Sequence, residues 1–166
     1  MLLRHIHQFT GGPGRALSLQ NNIPGVTLFN EALSNTNSSL NFYSGPKKGG
    51  LTSSLSALED SRQTIQVQAR NFSDLVKSWP KINLIKLDVE GAEFDIINGL
   101  AATNQLHAAA EYIIEYHHFH TETPGGFSQF TSAFEKENFK LTLINISPVH
   151  KKQQDIIFRF QSGKIF

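Results

Sequence analysis

The side chains best suited to chemistry collect in two short segments. In the first, Lys86-Leu87-Asp88-Val89-Glu90-Gly91, two carboxylates and an ammonium group surround the point where residues 83–87, which read as a short buried strand, give way to a helical pattern. Ligands of open α/β sheets bind at the carboxyl ends of strands, so acids at that point are candidates for a binding or catalytic site. Strand side chains alternate between faces, which puts Leu84, Lys86 and Asp88 on one side and Ile85, Leu87 and Val89 on the other. Lys86 and Asp88 are then about 7 Å apart along one face. A buried lysine is costly unless paired, so a carboxylate partner for Lys86 is expected. Two readings stay open on these residues alone. One is an active site; the other is a structural ion pair beside acids that favour a helix N-terminus.

The second segment is Glu115-Tyr116-His117-His118, followed by His120 and Glu122. Imidazole and carboxylate together can bind zinc, iron or manganese. Only Glu115 and His117 share a strand face, with His118 opposite. The preferred reading is that His117 orients a substrate or packs at the strand end while His118 and His120 are loop residues, so no metal is expected.

These residues need elements to hold them. After Gly91, Ala92, Ile96, Ile97, Leu100 and Ala101 recur at helical spacing, with Glu93, Asp95 and Asn98 on the other face. Residues 26–30 and 40–43 read as strands separated by the polar loop 34–39, and 45–50 reads as loop. Residues 64–69 alternate strictly, as expected of a half-exposed strand that is antiparallel or at an edge. Residues 72–79 form a short helix closed by Pro80, and residues 110–116 a strand. Phe127, Phe130 and Phe134 mark an amphipathic helix whose aromatic stripe is core. Phe139, Leu141 and Leu143 alternate, as do Ile156, Phe158 and Phe160, which predicts a terminal hairpin. Strand and helix alternating before a hairpin argues for an α/β layer with a mostly parallel sheet.

Composition narrows the function classes. With 166 residues the chain is expected to be a single domain. A net charge of +1 makes no electrostatic case for nucleic acid or an anionic membrane. Zero cysteines exclude disulfides, thiolate zinc sites and cysteine nucleophiles, which suits a cytoplasmic protein. No run reaches the roughly 18 apolar residues of a membrane helix, and the start, MLLRHIHQF, lacks a secretory cleavage pattern.

The stretch IKLDVEGAEFDIINGL resembles the signature of the FkbM-type S-adenosylmethionine-dependent methyltransferases: Ile or Leu, Lys, a hydrophobic residue, Asp, Val, Glu, Gly, Ala, Glu, then a helix ending in Gly. Asn30-Glu31-Ala32-Leu33-Ser34, Leu51-Thr52-Ser53-Ser54-Leu55, Phe72-Ser73-Asp74-Leu75, Ile113-Ile114-Glu115-Tyr116-His117 and Asp155-Ile156-Ile157-Phe158 resemble further family segments in the right order. The resemblance covers residues 26–160. It implies a Rossmann-like methyltransferase sheet with an antiparallel C-terminal hairpin. It also implies methyl transfer from S-adenosylmethionine to a hydroxyl oxygen on a sugar or natural-product acceptor, in which the protein aligns the reactants and accepts a proton. Asp88 is the leading candidate for the proton acceptor and His117 the second, with Glu90 positioning substrate. Glu31 and Ala32, with Asp88, are the expected cofactor contacts. The adjacent strands of the implied sheet also make a metal site of Asp88, Glu115 and His117 conceivable.

The first 25 residues depart from the family pattern. Members carry there a strand ending in a glycine-rich loop and a second strand ending in an acid, whereas one βαβ unit alone takes roughly 30 residues. Gly11-Gly12-Pro13-Gly14 is read as a surface turn, because MLLRHIHQF is a poor buried strand. The expectation is therefore a sheet lacking its first two strands, with residues 84–87 as an unpaired apolar edge that an oligomer or partner chain would cover. A truncated gene product is preferred over a degenerate, non-catalytic binding module or a chain completed by another polypeptide.

Overall fold

The structure, a computed structural model, describes Phe29 and residues 31–44, 63–89, 91–118, 126–146 and 154–163. Gly11 to Gly14, all of the expected strand 26–30 but Phe29, the loop 45–50, and Glu90, His120 and Glu122 lie outside the described residues. In chain order the elements are β1 (Ala32–Ser34), β2 (Ser38–Ser44), β3 (Gln63–Asn71), α1 (Phe72–Lys77), β4 (Ile82–Leu87), α2 (Glu93–Ala102), a 3₁₀ turn (Leu106–Ala108), β5 (Ala109–His118), α3 (Gly126–Lys136), β6 (Phe139–Ile146) and β7 (Gln154–Ser162).

Two sheets form. One has the order β1-β3-β2 and the other β4-β5-β7-β6. The expected mostly parallel sheet is corrected here: β1–β3 and β4–β5 are parallel, whereas β2–β3, β5–β7 and β6–β7 are antiparallel. The cause is connectivity. Parallel neighbours need a crossover, and α2 supplies one between β4 and β5, but the last two strands return as the expected hairpin. Among the described residues no strand joins β1 to β4, so β4 pairs with β5 alone and Leu84 is 43% exposed. The alternating strand β3 is half-exposed and antiparallel to β2, but central in its sheet.

Alternation sorts the larger sheet into two faces. On one, Ile85 and Leu87 of β4, Tyr112, Ile114 and Tyr116 of β5, and Phe158 and Phe160 of β7 are buried beneath Ile96, Ile97 and Leu100 of α2 and Phe130 and Phe134 of α3. Phe134 stacks on Phe160 with ring centroids 3.8 Å apart, and Tyr112 meets Phe134 edge-on. The Phe127 stripe is core: Phe130 and Phe134 are sealed, and Phe127 packs partly buried against them. The opposite face carries Lys86, Glu111, Glu115 and Arg159, with Glu111 accepting a two-pronged bond from Arg159.

The helix ends follow local chemistry. Asn71 caps α1, its side-chain oxygen accepting from Ser73 N at 2.8 Å and Asp74 N at 3.4 Å. Beyond α2, Asn104 enters the left-handed region (φ 55°), and Gln105 N closes onto Leu100 O at 2.8 Å. A Cβ on Gly99 would lie 3.4 Å from Ser73 Oγ and 3.6 Å from Asn35 Cβ, so only a very small residue there lets α2 lie close to α1 and the β1–β2 turn. No helix among the described residues is long and apolar enough to cross a membrane.

Truncating Phe134 to Ala removes a ring packed against Tyr112, Phe130, Phe139 and Phe160, and urea denaturation is expected to show a loss of about 3–5 kcal/mol. Leu143→Ala, on the exposed edge strand β6, is expected to stay within about 0.5 kcal/mol of the parent. Equal losses for the two would contradict this placement of the core.

Candidate functional site

The carboxyl ends of β4 and β5 bring the acidic turn and the histidine segment together. Asp88 follows directly on β4, and its carboxylate accepts from Lys86 Nζ at 3.0 Å. The expected partner of Lys86 is thus Asp88, but the lysine is not buried. Its side chain is 54% exposed, because this face of the sheet has no helix over it among the described residues, and the desolvation cost assumed from sequence does not arise.

Beyond Asp88 the chain must turn sharply to enter α2. Gly91 makes that turn at φ 104°, a conformation strained for any residue with a Cβ. The N-cap of α2 is Ala92, which has no side-chain bond to offer the first turn. Glu93 takes over the task in reverse. Its carboxylate folds back and accepts Val89 N–H at 3.0 Å and Gly91 N–H at 3.2 Å on Oε1 and 3.1 Å on Oε2. The third partner is His117 Nδ1, 2.8 Å from Oε1, with both side chains almost wholly buried. A carboxylate only accepts, so hydrogen-bond logic assigns the proton between them to Nδ1. The expectation that Glu93 lies on the polar face of the helix is therefore corrected. At the first helical position it can reach the turn behind it, and three donors offset its burial.

Glu115 occupies β5 on the face of Asp88 and Lys86. Burial holds its carboxyl above the usual range, and the Asp88 charge adds to this, as does Asp155, while His117 and Lys86 pull the other way. Among the described residues no three His, Asp or Glu side chains are grouped to hold a metal ion. The conceivable Asp88, Glu115 and His117 ligand set does not assemble; Nδ1 of the histidine is committed to Glu93.

Of the residues singled out from sequence, Asp88 and His117 stand at this strand end, Asp88 exposed and His117 enclosed, while Glu90 lies outside the described residues. Glu31 and Ala32 belong to the smaller sheet. Ala32 is buried in β1, and Glu31 is clamped by Arg70, whose Nη2 and Nε each approach a carboxylate oxygen at 2.7 Å while its guanidinium lies over Phe29. Sequence reasoning missed Glu93. The available signal was an alanine where a capping residue is normal, followed at once by an acid.

A family model described as the methyltransferase FkbM domain matches residues 10–141. No curated protein and no solved structure matched the chain.

Removing the Glu93 carboxylate strands the Val89 and Gly91 amides and the imidazole N–H. Glu93→Ala is expected to cost on the order of 3–5 kcal/mol, against well under about 1 kcal/mol for Lys86→Ala at the exposed pair, both read from chemical denaturation. The raised carboxyl of Glu115 has its own sign. The folded state holds that proton to higher pH than the unfolded chain, so stability from this group falls as pH rises from the ordinary carboxylate range through the folded value. Glu115→Gln should therefore gain melting temperature relative to the parent as pH rises through and above the ordinary carboxylate range. A constant difference across that range would count against the assignment.

Proposed function

The chain belongs to the FkbM methyltransferase family, and from that premise we propose that it transfers a methyl group from S-adenosylmethionine to a hydroxyl oxygen of a small-molecule or glycan acceptor. The observation that carries this reading is the placement of Asp88: an accessible carboxylate at the end of β4, steadied by Lys86 at 3.0 Å. It stands where open α/β sheets receive their ligands.

The side chains suit that cofactor. Its sulfonium and ammonium groups are cationic, and the strand ends offer the carboxylates of Asp88 and Glu115. On the smaller sheet, Arg70 fixes the orientation of Glu31, yet a carboxylate has about four acceptor positions and keeps room for a hydroxyl or amine. Glu31 with the neighbouring Ala32 would line one flank of the cofactor, and Asp88 the end nearest the acceptor. When bound, S-adenosylmethionine supplies an electrophilic methyl group. Asp88 would take the proton of the acceptor hydroxyl as its oxygen receives the methyl group, the cofactor leaving as its neutral thioether. Lys86 holds the Asp88 carboxylate on the open face, and Glu115 is a second carboxyl within its electrostatic reach. His117 is enclosed against Glu93 and acts in this scheme as a support.

One observation favours a second reading, a non-catalytic module that retains the signature. The edge of β4 pairs only with β5 among the described residues and exposes Leu84, which suits a partner chain or a second copy. Calorimetric titration with S-adenosylmethionine separates the two. Saturable heat is expected for the methyltransferase, and none at ligand on the order of 1 mM would favour the module. Asp88→Asn is expected to lower formation of S-adenosylhomocysteine with hydroxylated sugar acceptors by about 10²-fold or more while leaving the fold intact. Parent rates in that variant would remove Asp88 from its role.

A further inference from the structure

Glu93 and His117 stand outside the chemistry just described, yet they are the most deeply buried polar residues near it. We propose that they form a positioning latch for the turn between β4 and α2, acting on the reaction through Asp88 without touching substrate or cofactor. This rests on the methyltransferase reading of Asp88.

The geometry has three parts. The Glu93 carboxylate binds the amides of Val89 and Gly91, which flank residue 90 and follow immediately on Asp88. Through His117 Nδ1 it ties the same turn to β5, the strand that carries Glu115. Gly91, at φ 104°, has too few preferences of its own to hold the turn in one shape. Val89, sealed in the core, anchors the chain just after Asp88, but the Asp88 side chain itself has the exposed Lys86 contact, and exposed pairs hold geometry weakly. A side-chain anchor with almost no solvent contact thus sets what an exposed contact alone would leave loose. His117 contributes as a donor of defined direction, its Nδ1–H held on the Glu93 carboxylate, in the way that a buried acid orients an imidazole elsewhere.

The test uses the full chain, ¹⁵N-labelled, and reads backbone hydrogen exchange at Val89 and Gly91. In Glu93→Gln exchange at both amides is expected to rise roughly tenfold or more, while Tyr112 and Ile114 in β5 keep parent protection. His117→Gln, which retains an N–H donor, should restore much of the protection that His117→Ala loses. The ¹³C shift of the Asp88 carboxyl at one fixed pH should match the parent in His117→Gln and move in His117→Ala. Both variants lack the imidazole, so a difference between them reports position and not the loss of a charge. Should Glu93→Gln not fold, the His117 pair carries the comparison. Parent-like exchange in folded Glu93→Gln, or identical behaviour of the two His117 variants, overturns the latch. None of these readouts involves S-adenosylmethionine, so they fail or succeed separately from the cofactor titration.

Discussion

The burial of one carboxylate, that of Glu93, sets the terms for the end of the sheet at which the candidate site lies. A charge-bearing group with about 1% side-chain exposure is tolerated only where donors replace its water. Here the donors are two amides of the β4–α2 turn and the imidazole of β5. Satisfying Glu93 therefore fixes three things at once: the path of the turn, the start of α2 and the distance from that start to the end of β5. The helix then falls with Ile96, Ile97 and Leu100 over the sheet, where their side chains are sealed. Asp88 is left on the opposite, open side, because strand alternation assigns it the face of Lys86.

The two faces of the larger sheet follow different rules as a result. The covered face is held by aromatic packing, with Phe130, Phe134, Tyr112 and Phe160 forming a run of edge-on and stacked contacts around α3. Each such pair adds roughly 0.5–1.5 kcal/mol beyond the area it buries. The open face is held by polar pairs, Lys86 with Asp88 and Arg159 with Glu111, which contribute little stability but keep charges arranged. Glu115 sits among them, partly withdrawn from water and beside Asp88, and its carboxyl is pushed upward in consequence. The packed face and the candidate site are separated by the thickness of one sheet.

What could be read from sequence was whatever a period or a signature expresses. The spacing of Ile96, Ile97 and Leu100 marked α2, the Phe stripe marked α3, and two alternating runs marked the β6–β7 hairpin. The family signature was legible because its acids and glycine are contiguous, and the family match confirms it. Sheet assembly was less legible. The pairing of β2 with β3 depends on register between segments distant in sequence, and the division into two sheets depends on which strands stand between β1 and β4, which no local pattern encodes. Glu93 was misassigned for a related reason: helical periodicity places it with Asp95 on the polar face, but the first residue of a helix can turn its side chain back beyond the helix, where periodicity has no meaning. The burial of Lys86 was overestimated because the strand 83–87 reads as buried, whereas β4 is packed on one side only.

Asp88 and Glu93 carry the same functional group five residues apart and meet opposite environments, and that contrast argues for a division of labour. An acid that serves as a proton acceptor must reach its substrate and exchange protons with solvent, which an enclosed carboxylate held by three donors cannot do. An acid that holds a turn must do the reverse, since each water that reached it would compete with an amide. Asp88, with 36% of its side chain exposed and an exposed lysine as partner, meets the first requirement; Glu93, held by three donors, meets the second. The glycine between them makes both assignments compatible. At φ 104° Gly91 lets the chain reverse so that one acid ends on the open face and the next is carried inward. A residue with a Cβ at that position would resist the reversal and work against both acids together.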